Sequence, residues 1–222
     1  MIRPRGPPKL SSSPEASEGS ARDFLYSDEE FELMNESIRE LKGSGLIYAD
    51  RGDGFVFGIL EEDERSDVEG YGGRRRCWVD KKRCAHLVRA AQPLKCVFHR
   101  AFDEIVSCDD DTVSNGSAQL SWETGLEDLA ACGFNGILTS GGLGRAVDNM
   151  NMLERIIRRA QELHIEIIIG GGVRTANVGE IIRRLGLRER AGSVYLHSAC
   201  LQADGSEQIN PGEVQGITAQ LR

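Results

Sequence analysis

Apolar positions along this chain recur with two different periods, and the switches between them mark out its elements. Ser27-Asp28-Glu29-Glu30 has the form of a capping box, with Ser27 as N-cap and Glu30 at the third helical position. Phe31, Met34, Ile38 and Leu41 follow at helical spacing, and Gly43 and Gly45 stop the helix. Phe55–Leu60 is a nearly continuous apolar run, the pattern of a parallel strand covered on both faces. Residues 61–78 turn acidic, then glycine-rich, then basic, and are expected to form a loop. A helix is expected over 79–91, with Val79, Leu87, Val88 and Ala91 inward, followed by a strand at Cys96–Phe98. Residues 104–119 are expected as a polar loop, and 122–132 as a helix carrying Leu126, Leu129 and Ala130.

From there the alternation tightens. A strand at Gly136–Thr139 runs into Ser140-Gly141-Gly142, and Val147, Met150, Leu153, Ile156, Ile157 and Ala160 form a helical stripe. Ile165–Ile169 is a strand running into Gly170-Gly171-Gly172, and Val178, Ile181, Ile182 and Leu185 mark the next helix. Val194–Leu196 is a strand ending in His197-Ser198, and Pro211–Leu221 can close the chain as a short helix. Strand-then-helix repeats with glycines at the strand exits mean an α/β fold on a parallel sheet. The pattern alone fits both a barrel and an open doubly wound sheet.

Composition narrows the function classes. Residues 6–22 are rich in Pro, Ser and Gly and cannot bury enough apolar surface to order, so a disordered loop is expected there. The whole chain, 1–222, suits one domain. A net charge of −8 argues against a broad nucleic-acid surface. No apolar run is long enough to cross a membrane, and Met1–Arg5 lacks the apolar core of a secretory leader. Six cysteines without a CxxC pair suggest reduced thiols in the cytoplasm. Arg74-Arg75-Arg76 with Lys81-Lys82-Arg83 reads as a solvated basic face, with a nuclear address as the alternative.

Several segments resemble the CutC family of copper homeostasis proteins. They are Met1-Ile2-Arg3-Pro4-Arg5, Asp23-Phe24-Leu25-Tyr26-Ser27, Gly54-Phe55-Val56-Phe57-Gly58, Phe98-His99-Arg100-Ala101-Phe102-Asp103, Ile137-Leu138-Thr139-Ser140-Gly141-Gly142 and Gly170-Gly171-Gly172-Val173-Arg174, in family order. The resemblance implies a TIM-type (β/α)8 barrel, a cytoplasmic location, self-association as a homo-oligomer, and copper handling that includes Cu(I) binding. In the family pattern Met1–Arg5 ends the third strand, so about six of the eight β/α units are expected here. A sheet left open between Met1–Arg5 and Val194–Leu196 follows from that count, with unpaired edges that invite association.

In such barrels functional groups gather at the C-terminal strand ends. His99 and Asp103 are the candidate proton-transfer groups. Arg3, Arg5, Arg100, Ser140, Arg174, His197 and Ser198 are candidate anion ligands, with the backbone N–H groups of Gly141, Gly142, Gly171 and Gly172. Cu(I) favours thiolate and thioether ligands. Cys96 and His99 have a Cys-x-x-His spacing, but residues three apart on a strand face opposite ways, which sends Cys96 into the helix layer. Cys200, after His197, is retained as a candidate copper ligand, and the ligand set is otherwise open. Three readings stand at this point: a copper-binding homeostasis protein, a barrel enzyme acting on a small phosphorylated or carboxylated metabolite, and a truncated chain without activity.

Overall fold

A computed structural model describes residues 1–4, 24–62, 76–108, 120–190, 192–202 and 208–221. The expected disordered loop at 6–22, the loop at 109–119, and Arg5, Arg74 and Arg75 lie outside the described residues.

Helix α1 spans Asp28–Gly43. Its start is the expected capping box: the Glu30 N–H donates to Ser27 Oγ at 3.2 Å, and the Ser27 N–H donates to Glu30 Oε2 at 3.0 Å. Strand β1 (Gly54–Phe57) is followed by β2 (Leu60–Glu62), β3 (Cys77–Val79), α2 (Lys81–Ala91), β4 (Lys95–Phe98) and α3 (Ala101–Val106). Then come α4 (Ser121–Cys132), β5 (Gly136–Thr139), α5 (Met150–Glu162), β6 (Glu166–Ile169), α6 (Thr175–Arg184), β7 (Val194–Leu196) and α7 (Pro211–Leu221).

The main sheet is parallel, in the order β1-β4-β5-β6-β7. The stripe on α5 is buried as its spacing requires, at Met150, Leu153, Ile156, Ile157 and Ala160. Gly54 is needed where β1 meets β4, because a Cβ there would lie 2.3 Å from the Lys95 carbonyl oxygen. Between β4 and β5 the core is closed by Phe134, whose ring packs edge-on to Phe98 at 5.3 Å.

Three boundaries differ from the pattern reading. The apolar run Phe55–Leu60 is two strands, not one. The ring of Phe98 and the imidazole of His99 fill the space beside Gly58, and beyond it Leu60–Glu62 pairs antiparallel with Cys77–Val79. Val79 therefore belongs to a strand, and α2 starts only after Asp80, which caps it by accepting from the Arg83 N–H at 2.9 Å. The stretch expected as a polar loop from residue 104 begins with Glu104–Val106 still in α3, because Ile105 and Val106 are buried.

The N-terminal segment adds a single parallel bridge rather than a full strand. The Ile2 N–H donates to Gly54 O at 2.8 Å, and the Val56 N–H donates to Ile2 O at 2.9 Å. At the other edge β7 pairs with β6. Among the described residues no ladder joins 1–4 to 194–197, so the sheet is open there.

Candidate functional site

All five strands of the main sheet are parallel, so their exits share one end of it. His99 and Arg100 leave β4, Ser140 leaves β5, Gly170–Arg174 leave β6, and His197 and Ser198 leave β7. Arg3 follows the Ile2 bridge beside β1.

The centre of this end is the buried carboxylate of Asp103, only 1% exposed. Oδ1 accepts from Thr139 Oγ1 at 2.5 Å, from the Ser140 N–H at 3.0 Å and from the Gly142 N–H at 3.3 Å. Oδ2 accepts from Arg100 Nε at 2.7 Å and lies 2.8 Å from Ser140 Oγ. Arg100 also donates to Ser140 Oγ at 2.7 Å and to Gly144 O at 3.1 Å. Asp103 reaches this position because α3 starts directly after β4 and turns its first acidic residue back over the β5 exit. Ser107 ties the end of α3 to the same loop, donating to Asp103 O at 2.8 Å and accepting from the Leu143 N–H at 3.2 Å.

This network corrects the expectation for two glycines. The Gly141 N–H donates to Thr139 Oγ1 at 2.9 Å, and the Gly142 N–H is taken by Asp103. Neither is free to receive an external anion. Their conformation is still glycine's, with φ of +78° and +139°. Thr139 and Asn149 were not singled out from the sequence, although both hold the loop. Asn149 Nδ2 donates to Ser140 O at 3.1 Å and to Leu143 O at 2.9 Å. The signal for Thr139 was its place inside the Leu-Thr-Ser-Gly-Gly segment; nothing local marks Asn149.

The β6 and β7 exits form a second group. Arg174 donates to Ser198 Oγ at 2.9 Å and to Val173 O at 3.1 Å, joining the two exits. Gly171 and Gly172 have φ of +89° and +76°, and among the described residues their N–H groups meet no acceptor. Gly171 abuts Ser140, since a Cβ on it would lie 2.7 Å from the Ser140 Cβ, and so the two groups touch. The first N–H of α6, on Thr175, is already taken by the Glu213 carboxylate at 2.6 Å. His197 is exposed, and His99 is buried beside Phe24, with ring centroids 4.8 Å apart. His99 Nδ1 accepts from the Ala101 N–H at 3.3 Å, which places the proton of the neutral ring on Nε2.

The described members of the basic cluster are partly neutralised. Lys81 pairs with Asp128 at 3.1 Å, and Arg83 pairs with Asp28 and donates to Tyr26 O at 2.8 Å.

Cys96 is 1% exposed, and its sulfur lies 3.9 Å from the Leu94 carbonyl oxygen. Burial pushes its thiol up to about 12. A thiol in an unfolded chain ionises near 8.5, so above that pH unfolding releases a proton. Stability is therefore expected to fall as pH rises from about 8.5 to 12, by roughly 2 kcal/mol at pH 10 from this group. Urea unfolding at pH 8 and pH 10 should show the loss, and Cys96→Ala should reduce it. An unchanged pH slope in the variant would refute the assignment.

A profile of the CutC family matches residues 18–196. The chain belongs to the CutC family. Among curated CutC relatives, the human copper homeostasis protein cutC homolog is 32% identical over 189 residues, covering 85% of this chain and 51% of that protein. The CutC family protein of Treponema denticola is 29% identical over 199 residues, covering 88% and 64%. A crystal structure of a copper homeostasis protein CutC from Streptococcus agalactiae superposes with a TM-score of 0.54 at 24% identity, covering 78% of this chain and 66% of that one. The CutC fold is thus shared, a TIM-barrel-like α/β architecture. This chain spans about half the length of its human and mouse CutC relatives.

Proposed function

We propose that this chain acts in copper homeostasis by binding Cu(I) in the cytoplasm. The family match over residues 18–196, with relatives named for copper homeostasis, carries the reading. The cysteines support it: no disulfide joins the six, as suits a reducing compartment, and thiols are the ligands that Cu(I) prefers. Self-association belongs to the same reading, because the outer edge of β7, with Tyr195 44% exposed, offers an unpaired strand among the described residues. The test is an anaerobic Cu(I) titration of the reduced chain against a chromophoric chelator. Withdrawal of copper from the chelator at fixed stoichiometry is expected, and no withdrawal would end the proposal.

A second reading has its own observation. The N–H groups of Gly171 and Gly172, which meet no acceptor among the described residues, belong to the same exit loop as Arg174, which reaches Ser198, a set suited to a phosphate or carboxylate. On this reading Arg174 is the anion's counter-charge, and the Asp103 network positions the adjoining loop rather than moving protons, since both of its oxygens are occupied. Inorganic phosphate should then raise the melting temperature of the native chain and have a much smaller effect on Arg174→Ala. An equal shift in both would reject it.

A further inference from the structure

Cys77 opens β3, and Cys108 follows α3 by two residues, in segments thirty-one positions apart. Their Sγ atoms lie 3.7 Å from each other. Both side chains are buried, at 1% and 7% exposure, and Cys108 Sγ is also 3.3 Å from the Glu104 carbonyl oxygen. Other thiols of the chain meet backbone carbonyls instead: Cys84 at Ile59, Cys96 at Leu94 and Cys132 at Lys81.

A 3.7 Å separation is far too long for a disulfide, whose sulfurs are about 2.05 Å apart. It suits two sulfurs sharing an ion. With metal–thiolate bonds of about 2.3 Å, the pair subtends an angle of about 107° at the metal, and small side-chain rotations open it toward linear. We propose that Cys77 and Cys108 hold one Cu(I) ion as a two-thiolate site, an inference that rests on the Cu(I)-binding reading above and names its ligands.

The identity of the ion follows from the softness of the thiolates, which select Cu(I) on the reading above. Among the described residues no group of three or more His, Cys, Asp or Glu side chains could hold a metal. Soft Cu(I) is satisfied by as few as two thiolates. Binding replaces two S–H bonds with two Cu–S bonds and releases two protons to solvent. Copper stays in the +1 state, and no electron moves. The bound ion clamps β3 to the end of α3, the helix whose other end carries Asp103. Loading therefore stiffens the support of the β5 exit.

The test uses the whole reduced chain, anaerobic Cu(I) delivered from a chromophoric chelator, and the variants Cys77→Ser, Cys108→Ser and Cys132→Ser. The native chain and Cys132→Ser, whose hydroxyl can keep the bond to the Lys81 carbonyl, should each take one tightly held Cu(I). Cys77→Ser and Cys108→Ser should each lose affinity by more than the roughly 10–100-fold that changes outside the ligand shell cost. X-ray absorption at the copper edge of the native chain should show a shell of two sulfurs, which keeps the test decisive if a serine variant fails to fold. Full Cu(I) affinity in folded Cys77→Ser and Cys108→Ser, or a shell dominated by nitrogen and oxygen, overturns the site and leaves the broader copper reading standing. A native chain that takes no Cu(I) overturns both.

Discussion

Replacing Asp103 with Ala is expected to destabilise the protein by on the order of 3–5 kcal/mol. The side chain is a single buried acceptor for Thr139 Oγ1, the Ser140 and Gly142 N–H groups, and Arg100. Alanine leaves these donors without an acceptor in a site that water enters poorly, and each orphaned buried donor costs about 1–3 kcal/mol. Arg100 recovers part of its loss, because its side chain is 41% exposed and can turn to solvent. Arg100→Ala should cost less than Asp103→Ala, about 1–3 kcal/mol, because the buried carboxylate loses its counter-charge but keeps its other donors. Asp103→Asn keeps one carbonyl acceptor but places an NH2 group against donors, so it should fall between the two. Urea unfolding of the three variants provides the ranking. A loss for Asp103→Ala no larger than that for Arg100→Ala would show that the network does not hold the β5 exit together.

Removal of the Phe98 ring is expected to cost a similar amount, about 3–5 kcal/mol for Phe98→Ala. The ring is fully buried, packs against Phe134 and touches the His99 ring at 5.9 Å. It also fills the space that a side chain at position 58 would take: a Cβ on Gly58 would lie 2.8 Å from Phe98 Cε2 and 2.9 Å from His99 Nδ1. Gly58→Ala alone should therefore cost about 1–3 kcal/mol through overpacking. The two changes should not add, since the ring that the new methyl strikes is gone in the double variant. A double-mutant cycle that comes out additive would show that Gly58 is required for some reason other than the ring beside it.

Much of the architecture was legible in the sequence because it is encoded locally. The helix stripe at Met150–Ala160 and the capping box at Ser27–Glu30 depend only on residues three and four apart, and both are present as the spacing requires. The strands at Cys96–Phe98 and Gly136–Thr139 were equally plain. Because the strands are parallel, it also followed that His99, Ser140, Arg174 and His197 would share one end of the sheet.

What the sequence could not decide were the contacts between distant segments. The split of Phe55–Leu60 depends on which partner each half finds, and Leu60 meets Val79 only after an eighteen-residue excursion. The glycines after β5 look alike to those after β6 in composition, yet Gly142 donates to Asp103 while Gly171 and Gly172 meet no acceptor among the described residues. Only the return of α3 across the β5 exit makes that difference. The Cys77–Cys108 pair is the same case in sharper form. Local order and the face of each element follow from the chain itself; which side chains share a hydrogen bond or an ion is settled by packing, where a displacement of about 1 Å separates a contact from none.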